Sequence, residues 1–427
     1  MVCGVGVIGA GTVGGGVIQT LMSNAGVVKD KAGVEVALKH VAELKQELLR
    51  DLDLDGVTVS RDAAALIADP EVQVVCELIG GMEPAKTFIL KALNAGKNVV
   101  TANKMLLAKA GPELNEAAIR NHVELRFEAA VAGTIPIIKA LRESLASNHV
   151  HVVYGIVNGT CNYILSRMTF DGLDFDTVLK QAQEKGFAET PPDLDIEGHD
   201  SAHKCQILAS LCYSTRVNLD DIYVEGVTKI THADVAYAKE LGYQIKLLAV
   251  VRKVEGEIEA RVHPTLVPER HLLASVRNEF NGIYVESDAA GSTLYYGRGA
   301  GRLPTASAVI SDVVDIARRN GAPAPAPFQY THEIPVRDIG LLSSRYYLRF
   351  TTQDCPGVLG KICTILGKHG VSIASCTQKE IQESPEAVPV HVVLMTHETV
   401  ESGVMAARAE IDALDFIVEP THILRAL

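Results

Sequence analysis

"CGVGVIGAGTVGGGVIQTLMSN", residues 3–24, decides the fold of the first third of the chain. Residues 3–9 read as a strand and residues 12–24 as a helix. Gly9, Gly11 and Gly14 stand at the join as G-x-G-x-x-G. Glycines in that setting allow a tight turn and bring the backbone close to a pyrophosphate, which the helix N-terminus then favours. The stretch predicts a dinucleotide-binding unit in which Gly9, Gly11, Thr12, Val13 and Gly14 face the cofactor. A glycine-rich turn in another kind of α/β unit is the alternative.

Working outward, residues 34–42, 72–80, 97–103 and 123–130 read as further strands, with helical stretches such as 83–96 between them. Near-continuous apolar strands separated by helices imply a parallel sheet covered on both faces. An acid at the end of the second strand suits the ribose of NAD, whereas a basic residue suits the phosphate of NADP. The sequence there, "LKHVAELKQE", offers Glu43 for the first and Lys39, His40 or Lys45 for the second. The choice between NADP and NAD stays open.

The rest of the chain divides in two. Helices are expected at 136–146, 160–168, 174–185 and 199–213. Strands follow at 243–254, 257–267, 282–288 and 292–297, then a helix at 304–319. Segregated helices and strands suggest an α+β unit with an open sheet. "NGAPAPAPF" (320–328) reads as linker, since alternating prolines forbid helix and central strand. After it the order is βαββαβ, a ferredoxin-like arrangement whose last strand, 417–427, is expected at the sheet edge. The fold class is therefore α/β with three units. These are a Rossmann-like dinucleotide-binding domain (1–130), an α+β substrate and dimerisation domain (131–320) and, after a linker (321–343), a small ferredoxin-like domain (344–427). Residues 301–320 could pack back onto the first unit.

A length of 427 residues suits two or three domains, each with its own core. The formal net charge of −12 argues against nucleic-acid binding. No long apolar run suggests a membrane span, and the N-terminus lacks the basic region of a signal peptide. The eight cysteines form no CxxC pair and no metal-ligand spacing, which suggests a reducing cytoplasm.

Four places carry candidate chemistry. "TANK" (101–104) ends on Lys104 just past a predicted strand, where such sheets face their ligand. "VNGTCNYIL" (157–165) puts Asn158, Gly159 and Thr160 at a strand-to-helix turn, which also fits an ordinary N-cap. "GFAETPPDLDIEGHD" (186–200) gathers Glu189, Asp193, Asp195, Glu197 and Asp200 before an apolar helix; several carboxylates suit an ammonium-bearing substrate. Asp200 and Lys204 are four apart and share one helix face. That spacing fits a surface salt bridge, or an acid/base lysine oriented by a carboxylate in a partly dry cleft.

Taken together, "GAGTVG", "TANK", "EAAVAGTIPII", "NGTCNYIL", "GFAETPPDLDIEGHDSAHK" and "GAGRLPTASAVISD" resemble the homoserine dehydrogenases over residues 1 to about 320. "DCPGVLGKICTILGKHGVSIAS" (354–375) resembles an ACT domain, an amino-acid-sensing module. The resemblance implies reduction of aspartate 4-semialdehyde to homoserine with NADH or NADPH. It implies Lys204 as proton donor, Asp200 and Glu189 as substrate ligands, Lys104 at the substrate–nicotinamide junction, and Gly186 and Gly301 beside the cofactor. It further implies a monovalent cation, Na+ or K+, on the backbone carbonyls of Glu128, Val131, Gly133 and Ile135. A homo-oligomer formed through the middle and ACT units and threonine as effector complete the expectation.

Two positions depart from the family pattern. "AGTIP" has Thr134 where a glycine is usual, and "ETPP" has Pro191 in place of an acid. Phosphorylating oxidation of aspartate semialdehyde is a rival reading, but it needs a cysteine beside a base, and Cys161 and Cys205 sit in or beside apolar helical runs. A non-catalytic ACT-linked sensor is the rival from another class.

Overall fold

The computed structural model describes residues 2–188, 190–319, 322, 325–379 and 389–427. Six parallel strands form the first sheet: β1 (Val2–Ile8), β2 (Glu35–Ala42), β3 (Thr58–Ser60), β4 (Val74–Glu77), β5 (Asn98–Thr101) and β6 (Leu125–Arg126). Their order is β3-β2-β1-β4-β5-β6, the doubly wound order, with its switch point between β1 and β4. β1 and β4 are apolar and buried along most of their length because helices cover both faces. The expected strand at 123–130 is shorter than its apolar run, since the chain turns into a 3-10 segment at Glu128–Ala130.

Helix Arg302–Arg319 returns to this unit and packs on helix Thr12–Ser23, so that Val309, Val313 and Ile316 share a core with Val17, Ile18 and Leu21. Gly16 makes the approach possible: a Cβ there would lie 2.4 Å from the backbone oxygen of Arg302.

The second sheet holds β7 (Val150–Ile156), β8 (Tyr223–Val224), β9 (Tyr243–Val254), β10 (Glu257–Pro268), β11 (Phe280–Ser287) and β12 (Gly291–Arg298). β7 comes between the helical segment 137–144 and the helices from Gly159 onward, and lies inside the sheet, between β11 and β9. Helices and strands are thus less segregated than the apolar pattern suggested. β9 and β10 pair over twelve residues through a tight turn whose central residues, Glu255 and Gly256, both have positive φ (52° and 87°). That turn matches the strands' twist.

The ACT unit contributes β13 (Ser343–Thr352), β14 (Ile373–Gln378), β15 (Val390–Thr396), β16 (Thr399–Val400) and β17 (Ile417–Ala426). The six elements follow the expected βαββαβ order, with the short β16 added before the second helix. β17 is not at an edge. One side pairs with β13, and its end runs parallel to β10, with Thr265 opposite Arg425 and Leu266 opposite Ala426. One eleven-stranded sheet therefore crosses from the middle unit into the ACT unit. The connecting chain is packed as well. Phe328 stacks on Phe127 at 4.8 Å and on Tyr330 at 5.4 Å, and Arg337 donates its backbone N–H to Ile258 O at 2.7 Å.

Candidate active site

Helix His199–Tyr213 is buried along nearly its whole length, and Asp200 and Lys204 lie on the face turned to the Rossmann-like unit. Their side chains are 9% and 10% exposed, and Lys204 Nζ stands 2.6 Å from Asp200 Oδ2. This is not a surface salt bridge. Lys204 also donates to Val157 O at 2.6 Å, at the end of β7. An ammonium has three N–H donors. Two are engaged by the described residues, and one remains for a ligand.

Asp200 has further partners. Lys104 Nζ lies 3.1 Å from its Oδ1, crossing from the N-terminus of helix Lys104–Arg120. Asn158 Nδ2 donates to Asp200 Oδ2 at 2.9 Å and to Asp195 Oδ1 at 2.8 Å. Burial pushes the Asp200 pKa up, but the charges of Lys204 and Lys104 and the hydrogen bonds from Lys204 and Asn158 outweigh it, leaving it well below the usual carboxylate range. Burial and the Asp200 charge push Asp195 the other way, upward. Neighbouring carboxylates thus hold different proton affinities.

Asn158 caps helix Gly159–Asp171 through its Oδ1, which accepts from Cys161 N at 2.8 Å, while its amide nitrogen bridges the two carboxylates. One side chain therefore serves as N-cap and site residue together. Thr160 Oγ1 donates to Phe187 O at 2.6 Å, tying the turn after Gly186 to the same place. Glu189 lies outside the described residues. Glu77, fully buried at the end of β4, was missed in the sequence. It accepts from Thr101 Oγ1 at 2.7 Å and from the N–H groups of Ile79 and Gly80, and so ties the loop after β4 to the end of β5, three residues before Lys104. An acid just before "LIGG" at a strand end was its only signal.

The glycine turn has the geometry that a pyrophosphate needs. A Cβ on Gly14 would lie 1.8 Å from Gly9 O, so the turn closes only on glycine, whereas nothing stands within 4 Å of the same point on Gly11. Thr12 and Val13 open the helix there, on its accessible end. Gly301, with φ 122°, leads into the helix whose Arg302 packs on Gly15 and Gly16. Glu43 Oε2 accepts from Ala10 N at 2.5 Å, which sets a carboxylate beside the turn. His40 points away, to Asp69 and Ser60, and Lys39 pairs with Glu71.

The loop after β6 carries the expected cation carbonyls. Ala132 and Gly133 both have positive φ (55° and 56°) and reverse the chain. Thr134 fastens the loop, giving both its N–H (3.1 Å) and its hydroxyl (2.9 Å) to Arg298 O. The carbonyls of Glu128 and Ile135 accept from Val131 and Ile137, while those of Val131 and Gly133, in buried residues, have no hydrogen-bond partner among the described residues. No cluster of three His, Cys, Asp or Glu side chains suited to a metal exists among the described residues. The thiol rival fails on geometry. Cys161 is fully buried and gives its Sγ to Asp195 O at 3.2 Å, and burial raises its pKa well above that of a free thiol; burial pushes Cys205 up to about 12. No helix among the described residues is long and apolar enough to cross a membrane.

Residues 9–128 match the NAD-binding domain of homoserine dehydrogenase, residues 136–314 match homoserine dehydrogenase, and residues 346–416 match the ACT domain. A homoserine dehydrogenase of Neisseria gonorrhoeae is 44% identical over 99% of this chain and 98% of its own. That of Pseudomonas aeruginosa is 43% identical over 99% and 98%. The crystal structure of a homoserine dehydrogenase from Thiobacillus denitrificans superimposes with a TM-score of 0.93 at 43% identity, covering 100% of this chain and 98% of that one.

Proposed function

The chain belongs to the homoserine dehydrogenase family of oxidoreductases, and from that premise we propose that it interconverts L-aspartate 4-semialdehyde and L-homoserine with Lys204 as proton donor. One observation carries the reading: a buried ammonium, held by Asp200 and Val157 O, with its third N–H left for a ligand. A bound nicotinamide supplies the hydride. As negative charge grows on the carbonyl oxygen, Lys204 stabilises it and delivers the proton. Asp200 keeps Lys204 and Lys104 on one carboxylate, so the two cations face the same oxygen. Asp200 and Glu189 receive the substrate ammonium, with Asp195 close by. In the alcohol-oxidising direction Lys204 takes the proton back.

Gly9, Gly11, Thr12, Val13, Gly14, Gly186 and Gly301 border the cofactor in this reading. Glu43 beside the turn favours the ribose hydroxyls of NAD over the phosphate of NADP. The two unpartnered carbonyls, with those of Glu128 and Ile135, suit a monovalent cation, Na+ or K+. The enzyme acts in the cytoplasm as a homo-oligomer in the route to threonine, methionine and isoleucine. Threonine restrains it through the ACT unit.

The test is direct. Full-length protein is mixed with homoserine and NAD or NADP in turn, and reduced nicotinamide is followed by its absorbance. Reduction is expected, faster with NAD. A protein that binds cofactor yet reduces neither would instead be the ACT-linked sensor.

A further inference from the structure

Arg302 opens the helix that returns to the Rossmann-like unit, directly after Gly301. Its side chain lies along helix Thr12–Ser23 and runs toward the N-terminus of that helix. A Cβ on Gly16 would lie 3.0 Å from Arg302 Cγ. One on Gly15, a residue earlier, would lie 3.2 Å from Arg302 Nη2 and 3.4 Å from its Cζ. The same point on Gly15 is 3.1 Å from Ala10 O, in the glycine turn. The guanidinium therefore ends beside the turn, on a path that the bare Gly15 and Gly16 leave open.

Arg302 is exposed and has no hydrogen bond or ion pair among the described residues. The arginines at the far end of the same helix are held. Arg318 donates to the carbonyls of Lys31 and Ala32, and Arg319 pairs with Glu124. Glu43, the carboxylate at the turn, does not meet Arg302; it accepts from the N–H groups of Ala10 and Lys45.

The first N–H groups of a helix have no partner within it, and the helix dipole makes that end positive. Two helices begin here. Neither has an acidic residue in its first turn, and Gly11, at the N-cap of helix Thr12–Ser23, offers no side-chain acceptor. A guanidinium placed at both ends is repelled by both, unless an anion lies among them. Arginine also presents several N–H donors in a fork that matches phosphate oxygens.

We propose that Arg302 binds the diphosphate of the nicotinamide cofactor and clamps it against the turn formed by Gly9, Gly11 and Gly14. The returning helix thus does more than pack: it brings a cation to the cofactor from the far end of the middle unit. The proposal rests on the reading of residues 9–14 as the cofactor turn.

The experiment uses the full-length protein. Binding of NADH and NADPH is read by fluorescence titration, and binding of ADP-ribose by calorimetry. Arg302→Met keeps an aliphatic stem over Gly15 and Gly16 and removes the charge. It is expected to weaken all three ligands by about tenfold, the scale of a charge-assisted hydrogen bond. Arg302→Lys should recover part of the loss. In homoserine oxidation the change should appear in the KM for the cofactor, the mark of binding shared by ground and transition states. Without ligand, Arg302→Met should melt no lower than wild type, because the charge it removes is repelled by two helix ends; with NADH its melting temperature should rise less. A variant that melts lower without ligand yet gains as much from NADH would show that Arg302 only packs the helices, and would overturn the proposal. Unchanged affinity for all three ligands would overturn it too. A loss for NADPH alone would put the guanidinium on the ribose phosphate and reject the diphosphate contact. If the wild type binds none of the three, the cofactor turn is misread and the proposal falls with it. Binding weakened in Arg302→Met, with no homoserine oxidation even in the wild type, would uphold the contact and reject the activity.

Discussion

Taking an ammonium and a carboxylate out of water costs several kcal/mol per ion, and apolar residues of the same size often hold a fold as well. Asp200 and Lys204, each about a tenth exposed, are therefore an expensive way to fix one helix, and the extra partners Lys104 and Asn158 act on the same carboxylate. Lys204→Ala should cut turnover by about a hundredfold or more, the usual scale of general acid–base catalysis. Cofactor affinity, measured by fluorescence titration, should barely move, and near-normal turnover would remove Lys204 from the chemistry. Glu43 supports a separate prediction. Glu43→Arg replaces the carboxylate at Ala10 with a cation suited to a phosphate, and should shift the ratio of kcat/KM for NAD over NADP toward NADP by about tenfold or more. An unchanged ratio would place cofactor choice elsewhere.

Elements were legible wherever the pattern was local. Gly9, Gly11 and Gly14 marked the turn, and the apolar runs around them marked parallel strands. The i, i+4 spacing of Asp200 and Lys204 put both on one face, but spacing alone could not show that the face was buried. Lys104 meets Asp200 across 96 positions, and no periodicity carries a contact of that range. β17 reads as an edge strand because its alternation breaks at Pro420, yet its last residues are buried against β10. The packing of helix Arg302–Arg319 onto helix Thr12–Ser23 was suggested only by position; the structure shows its cause in Gly15 and Gly16. Gly16→Val should force these helices apart and cost about 1–3 kcal/mol, the usual range for overpacking. Thermal melting would show this as a loss of several degrees. Gly26→Ala, in helix Ala25–Ala32 with nothing within 4 Å of the added methyl, should leave the protein as stable or raise it by about 1 kcal/mol. Equal melting of the two variants would mean that the helices do not need the close approach.

At the scale of the whole molecule the ACT unit is joined to the rest by more than a linker. β17 continues the middle sheet, Phe328 fills the space over Phe127, and Asp234 forms a hub between the units. Cutting the chain near Ala326 would strip β10 of its neighbour and uncover apolar surface, so loss of regulation in such a fragment could not be separated from unfolding. Asp234 tests the joint more cleanly. It is fully buried, accepts from Arg349 Nε at 2.7 Å and from Tyr347 Oη at 3.1 Å, lies beside His422, and caps helix His232–Glu240 together with Thr231. Burial pushes its pKa up, but His422 and Arg349 outweigh this and hold the carboxyl well below its usual range. A carboxylate depressed in the folded state contributes stability above its unfolded pKa, about 3.9, and loses it as pH falls through the folded value. Asp234→Ala leaves the Arg349 guanidinium buried and unpaired, and should cost about 3–5 kcal/mol at neutral pH in urea melts. Below about pH 4 the gap between wild type and variant should narrow, because the unfolded wild-type chain takes up a proton on this carboxyl while the folded one, with its depressed pKa, still resists it. A gap that stays constant down to pH 2 would mean that Asp234 acts by packing alone and that charge does not hold the two units together.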